Sequence, residues 1–317
     1  MVLAAMVPIV LAYGRRSIDL TELPPRLAWV LGYLFPDGPA AHSDVYALLG
    51  RLRLPEAFWD FAEGIVALKA HNDTGHLSFL LGHVKAGGWW YFYLVELAVK
   101  TPLPLLVTGL IGLWLLARDG WRERNPWQVA PPLLFLTLLA FASFFSRINI
   151  GIRHVLILYP FMAMGGAYAL GRLWSARASL ARSIVGKGVA VLLVAWQVST
   201  LATAYPDYFP YFNETVSHPE RVLVDSDLDW GQDLRRLERR LQERKVPSVS
   251  LAYQGTADLS KEMLPPYVRL PPRQPATGWV AITALTREHE PVGYAWLNAY
   301  RPVERIGKTI DLYFIAP

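Results

Sequence analysis

Apolar positions gather along this chain into long unbroken runs as far as Tyr205, and beyond it into short patterns interrupted by polar residues. Met1–Tyr13 opens the series, apolar and uncharged. At about 1.5 Å per residue it covers roughly 20 Å of a hydrocarbon core roughly 30 Å thick. It has neither the basic start nor the small-residue cleavage site of a secretory signal. It is therefore expected to be a partial transmembrane helix, the tail of a span that starts outside this chain. Four further runs have the length of spans: Trp89–Ala117, Val129–Phe145, Val155–Leu173 and Val185–Ala204. Pro102 and Pro104 should break the first just beyond Lys100 and place that amine at a bend. Pro131 and Pro132 fall in the first turn of the second, and Pro160 should kink the third. Ala163, Gly165 and Gly166 give the third a small-residue face for close helix packing.

The polar stretches have their own pattern. Gly14–Gly88 mixes proline pairs with short amphipathic pieces such as Ala57–Lys69, which predicts helices at a membrane surface. After Tyr205, Arg221–Val224 reads as a strand. Asp229–Arg244 reads as a helix, with Trp230, Leu234, Leu237 and Leu241 on one face. Val249–Tyr253, Trp279–Ala284 and Ile310–Ile315 are strand-like, and Tyr294–Tyr300 suits a short helix. About 110 residues suffice for one small core. The expected fold is a multi-pass α-helical membrane protein, with about four full spans plus a partial N-terminal one and a small extracytoplasmic α/β domain. Its segments would be residues 1–13 (partial span), 14–88 (outer loop), 89–204 (bundle) and 205–317 (outer domain).

Charge fixes an orientation. The net charge of +5 could suggest nucleic acid. However, the excess Arg lies in short loops between apolar runs, and no basic stripe interleaves with stacking aromatics, so no nucleic-acid partner is expected. Arg118–Gln128 holds Arg118, Arg122 and Arg124, and Arg172–Lys187 holds Arg172, Arg177, Arg182 and Lys187 without an acid. Two runs separate these loops, so they share a side, and their positive excess makes it cytoplasmic. Gly14–Gly88, Ser146–His154 and the region after Tyr205 then face outward from the cell inner membrane. Cysteine is absent, which excludes disulfides and thiolate metal sites.

Four clusters could carry chemistry. Ser146–His154 puts Arg147, Arg153 and His154 at the outer surface, against the trend that depletes positive charge there. They would either snorkel to headgroups or form a lipid-phosphate site, since Arg makes bidentate contacts to phosphate. Trp89–Tyr93 is an aromatic belt, followed by Glu96 and Lys100 at i, i+4, which would pair or serve a function. His71, Asn72, Asp73, His76 and His83 lack the i, i+4 spacing of a helical zinc pair. In Asp225–Asp233 the acids Asp225, Asp227 and Asp229 suggest a calcium loop. The glycine is out of place and Arg236 stands where a bidentate Glu is needed, so a helix cap by Asp227 or Asp229 is the plainer reading.

Several stretches together resemble a known family. They are Asn72-x-x-Gly75-His76 with Phe79-Leu-Leu-Gly82, Gly88-Trp-Trp-Tyr and Lys100-Thr-Pro-Leu-Pro; Asn149-Ile-Gly-Ile-Arg-His with Tyr159-Pro-Phe; and Tyr205-Pro-x-Tyr with Tyr211-Phe-Asn-Glu and Asp225-Ser-Asp-Leu-Asp-Trp-Gly-Gln-Asp-Leu. The resemblance is to bacterial protein O-mannosyltransferase-like, polyprenyl-phosphate-dependent glycosyltransferases, and covers the chain from about residue 70. It implies a GT-C membrane fold and transfer of a sugar from a polyprenyl-phosphate donor to a protein or lipid acceptor on the outer face. The donor phosphate would be held by Arg147, Arg153, His154 and Lys100. Asn149, His76, Glu96, Asp225, Asp227 and Asp229 are further site candidates, with Asp227 standing where Asn is expected. The family's catalytic acid belongs to an outer loop that would precede Met1, so this chain alone is expected to be inactive. No cofactor is firmly expected, and a divalent metal stays open. Membrane lipids would be further partners. The rival readings are a non-catalytic membrane-anchored binder or scaffold of the envelope, and a transporter built around Glu96 and Lys100, which the scarcity of polar residues in the later runs disfavours.

Overall fold

The computed structural model describes residues 32–34, 37, 56–175 and 180–316. The expected partial span at 1–13 and most of the loop that follows lie outside the described residues. The chain forms two compact units, Met1–His76 and Leu77–Pro317. In the first, α1 (Glu56–Thr74) extends the expected amphipathic piece by a turn. It ends where Gly75, at φ +73°, gives its N–H to the carbonyls of His71 and Asn72. The rings of His71 and His76 meet edge-on at 6.1 Å.

The second unit opens on a hairpin, β1 (Leu77–Leu80) against β2 (His83–Ala86). Leu81 and Gly82 both take positive φ at its two-residue turn, which matches the twist of paired strands. The first apolar run is then divided. The helix α2 (Phe92–Lys100) stops at Thr101, which is extended because the residue before a proline is pushed out of the helical region. A new helix, α3 (Leu103–Arg122), starts at Leu103. The break beyond Lys100 is as expected, but the spanning helix is α3 alone, and nine-residue α2 lies outside it.

The other helices are α4 (Pro126–Phe145), α5 (Leu158–Trp174) and α6 (Leu180–Ala204). Among the described residues three helices are long and apolar enough to cross a membrane: α3, α4 and the Ser183–Ala204 part of α6. Helix α5, at 17 residues, is about 25 Å long. Pro160 does not kink it, because the helix begins at Leu158 and leaves the proline in the first turn, where a missing N–H costs nothing. Glycines set the α3–α5 contact: a Cβ on Gly112 would stand 1.7 Å from the Gly165 carbonyl oxygen, and one on Gly165 2.4 Å from that of Gly109. At the far end of this pair Asp119 binds both Arg118 and Arg172, which brings the last turns of α3 and α5 together.

The polar C-terminal region folds around a five-stranded sheet in the order β4 (Tyr267–Arg269), β3 (Val249–Ala252), β5 (Gly278–Thr283), β7 (Ile310–Ile315), β6 (Glu304–Ile306). The strand β3 runs parallel to β4 and β5, and β7 antiparallel to β5 and β6. Alternation builds a layer on each face. Leu251, Ala281, Ile310 and Leu312 pack under α8 (Leu234–Glu243), while Val280, Ile282, Tyr313 and Ile315 pack on Tyr294 and Leu297. Short helices α7 (Asp225–Leu228) and α9 (Ala284–His289) border the sheet.

Two expectations fail here. Arg221–Val224 is no strand, since Val222 and Leu223 both bond back to the Pro219 carbonyl in a tight turn. The helix expected from Asp229 starts at Leu234, because Gly231 at φ +79° turns the chain first.

Candidate functional site

Several of the stretches that carried the resemblance interlock within the second unit. Asn149 accepts the Trp89 N–H on Oδ1 at 2.7 Å. The Gly88–Trp89 segment can come so close because Gly88 has no side chain: a Cβ there would stand 1.7 Å from the same oxygen. Ser226 donates its hydroxyl to the Ile150 carbonyl, and Asp227 Oδ1 accepts from the Ile152 N–H at 2.9 Å. Gly151 permits this approach, since a Cβ would lie 2.4 Å from Ser226 Oγ. Asn213 donates through Nδ2 to the carbonyls of Ala98 (2.6 Å) and Thr101 (2.8 Å), and its own N–H goes to Val99. It thus satisfies the carbonyls that the end of α2 leaves open.

Lys100 lies at the centre. Its amine donates to the Asp227 carbonyl at 2.6 Å and the Phe209 carbonyl at 3.0 Å, and sits 4.5 Å from the centre of the Phe212 ring. The expected i, i+4 pair with Glu96 does not form. The chain break after Lys100 aims the amine at the C-terminal region, and backbone carbonyls take it. Glu96 is completely buried, and neither carboxylate oxygen has a hydrogen-bond partner among the described residues. The same holds for Asp227 Oδ2 and Asn149 Nδ2. Such orphaned groups are costly, and each calls for an explanation. Burial first, then the Asp227 carboxylate, push the Glu96 carboxyl well above its ordinary range, against a smaller pull from Lys100. Burial likewise brings the Lys100 amine down to about 8, with Asp227 and Glu96 opposing. A proton on Glu96 supplies a donor where two acids would otherwise repel.

Above this buried cluster lies an exposed cationic ledge. The Arg153 guanidinium stands 4.9 Å from the Trp230 ring centre, and Trp230 stacks on Phe209 at 5.4 Å. Arg153 also reaches His154 Nε2 at 3.4 Å. Arg147 is exposed beside Gly87, whose Cβ position is 3.5 Å from the guanidinium. Arg153 presents a planar donor fork on an aromatic support, the arrangement that suits a phosphate or carboxylate.

Of the sequence candidates, Lys100 and Asp227 meet directly and Glu96 is buried beside them, while Asn149 holds Trp89 from the Ser146–His154 segment that also carries Arg147, Arg153 and His154. Lys100 is spent on carbonyls and does not face outward with the arginines. Asp229 neither caps a helix nor joins the cluster. Its Oδ1 accepts the Gly231 N–H at 3.0 Å, and burial raises its carboxyl to about 6, opposed by Gly231 and Thr283. Asp227 does not cap either, because its oxygen is taken by Ile152. Asp225 Oδ1 accepts the Ser226 N–H. His76 belongs to the first unit, beside His71. Among the described residues no group of three or more His, Asp or Glu is arranged to hold a metal.

Sequence reasoning missed the structural roles of Asn213 and Asp233. The Asp233 carboxylate, fully buried, accepts from the N–H groups of Lys308 and Thr309, from the Thr309 hydroxyl and from Arg236. The positive φ of Gly307 was the available signal, since a Cβ there would overlap that carboxylate at 2.1 Å. Comparison with protein-family models, curated proteins and solved structures finds no match for this chain.

Proposed function

We propose that this chain is the donor-binding part of a membrane glycosyltransferase that takes a sugar from a polyprenyl-phosphate carrier, with a protein or lipid acceptor on the outer face of the cell membrane. In this reading the helices form a GT-C-like bundle of four spans and residues 205–317 lie outside the cytoplasm. The observation that carries it is the convergence of three separate stretches, at Gly88–Lys100, Asn149–His154 and Asp225–Asp233, on one joint beneath an exposed Arg–Trp ledge. Nothing in the requirements of a helical bundle asks residues so far apart in sequence to meet with their polar groups inward. Arg153 and Arg147 would hold the donor phosphate, and stabilise it as it gains charge on leaving. Lys100, Glu96 and Asp227 would act behind them by fixing the segment that presents Arg153.

The test is Arg153→Ala in the full-length protein, in membranes supplied with a polyprenyl-phosphate sugar labelled in the sugar. Loss of one such donor should lower transfer about a hundredfold while the protein still inserts. Undiminished transfer would sink the assignment. A second reading, a non-catalytic binder, draws support from the complete burial of Glu96, which leaves it out of reach of any acceptor. Retained binding of the carrier with no transfer by the full-length protein would favour it.

A further inference from the structure

The end of the bundle opposite the candidate site has a different character. Helices α3 and α5 pack backbone to backbone through glycines along their middle, whereas at this end α6 comes close to α5 at Gly186, where a Cβ would stand 2.5 Å from the Leu173 carbonyl oxygen. Beyond that point α6 stands off, and a cavity of about 790 Å³ opens between α3, α5 and α6. Its walls are aliphatic. Val107, Ile111 and Leu115 line it from α3 and Val185, Val189 and Leu193 from α6, each set at i, i+4 spacing along one helix face.

The charged groups are gathered at one end, and the Thr108 hydroxyl elsewhere in the lining is turned back onto the Pro104 carbonyl. Arg118 and Arg172 both line the cavity, and both are held by the buried Asp119. Arg118 binds Oδ1 at 2.8 Å, Arg172 binds Oδ2 at 3.0 Å, and the Tyr168 hydroxyl adds a bond at 2.9 Å. One carboxylate against two guanidiniums leaves an excess positive charge. Each guanidinium has five N–H donors, more than Asp119 can accept. The Trp114 ring beneath Arg118, 5.2 Å away, and Lys187 over Trp174 place two more features of a membrane–water boundary at this end. An aliphatic trough that ends in a fixed, positively charged fork matches an amphiphile with an anionic head. A small anion would leave the trough unfilled, and a neutral lipid would leave the charge unmatched.

We propose that this groove is a binding site for an anionic phospholipid, with the phosphate at Arg118 and Arg172 and one acyl chain along the aliphatic walls. The site lies away from the Arg153 ledge and stands whether or not the transferase reading holds. Asp119 acts as the positioning residue that holds both guanidiniums toward the head.

The experiment is native mass spectrometry of the full-length protein, exchanged into an equimolar mixture of phosphatidylglycerol and phosphatidylcholine with identical chains. The unchanged protein should retain phosphatidylglycerol preferentially. Arg172→Gln should cut that preference about fivefold, the share expected of one cation near an anionic head. Val189→Trp, which fills the trough and leaves the charges in place, should lower retention of both lipids. Arg172→Lys should keep most of the preference, and guards against reading a folding defect as lost binding. Equal retention of the two lipids by the unchanged protein would mean annular lipid only and overturn the proposal. So would a preference that survives both Arg172→Gln and Val189→Trp.

Discussion

Gly88 shows how closely single positions constrain the candidate site. Its φ of +66° lies where an L-residue is strained by about 1–2 kcal/mol, and the Cβ of any other residue would overlap Asn149 Oδ1. Gly88→Ala should therefore lower stability in detergent by at least about 2 kcal/mol, and should also detach Asn149 from Trp89. An unchanged unfolding midpoint would mean that the close approach is not maintained. Asp229 offers a second test at this scale. Burial raises its carboxyl to about 6 in the folded protein, against 3.8 for the ordinary group. Between these two values the folded chain binds the proton and the unfolded chain has lost it, so stability falls as pH rises through this window. Two units correspond to about 3 kcal/mol at most, lost by pH 7. Asp229→Asn should flatten the stability profile between about pH 4 and 6, read by urea unfolding of the full chain at fixed pH values. A slope as steep as that of the unchanged protein would exclude Asp229 as its source.

Among helices, the contact between α3 and α5 depends on backbone approaching backbone. Gly112→Val would force its side chain into the Gly165 carbonyl, from which even a Cβ would be only 1.7 Å away. Helices pushed apart here lose packing along their length, and a loss of about 3 kcal/mol is expected. Gly171→Ala on the same helix α5 meets nothing within 4 Å, and should raise stability by roughly 0.5–1 kcal/mol through helix propensity alone. Detergent-unfolding midpoints that move in the same direction for both would contradict this packing account. The sequence already marked Gly165 and Gly166 as a small-residue face, but not their partners Gly109 and Gly112, because a face does not name what it meets. Long runs were legible for the same reason that they are membrane-length: composition alone sets them. Ile310–Ile315 was legible as a strand because a six-residue run of mostly β-branched and aromatic residues suits a pleated, half-buried surface. The hairpin Leu77–Ala86 was not, since its second strand, His83–Ala86, is exposed along its whole length and has no buried face to impose an apolar pattern. The start of α8 was misplaced by five residues because apolar spacing runs on through Trp230, which in fact stacks outward on Phe209.

Across the whole second unit, the joint between bundle and C-terminal domain could not be read from spacing. Glu96 and Lys100 looked like a local pair because i, i+4 partners are the nearest that a sequence displays. The partners that Lys100 takes instead are more than a hundred residues away, the carbonyls of Phe209 and Asp227. The motifs named most of the residues that meet, yet not that Asn213 and Lys100 tie the same helix end to the same domain. This arrangement predicts energetic coupling. Asn213→Ala strands the carbonyls of Ala98 and Thr101, and Lys100→Met strands those of Phe209 and Asp227, at about 1–3 kcal/mol for each buried group left without a donor. Once one tie is cut, the joint relaxes and the second has less to lose. The double variant should therefore be less destabilised than the sum of the singles, by about 0.5 kcal/mol or more. Leu237→Ala, in the separate core beneath α8, should add to either single within about 0.5 kcal/mol. If bundle and C-terminal domain are held as one cooperative unit by this joint, all these variants shift a single unfolding transition. Two transitions, with only one of them sensitive to Asn213→Ala, would show that the C-terminal domain folds without the bundle and that the ledge carrying Arg153 is not fixed from below.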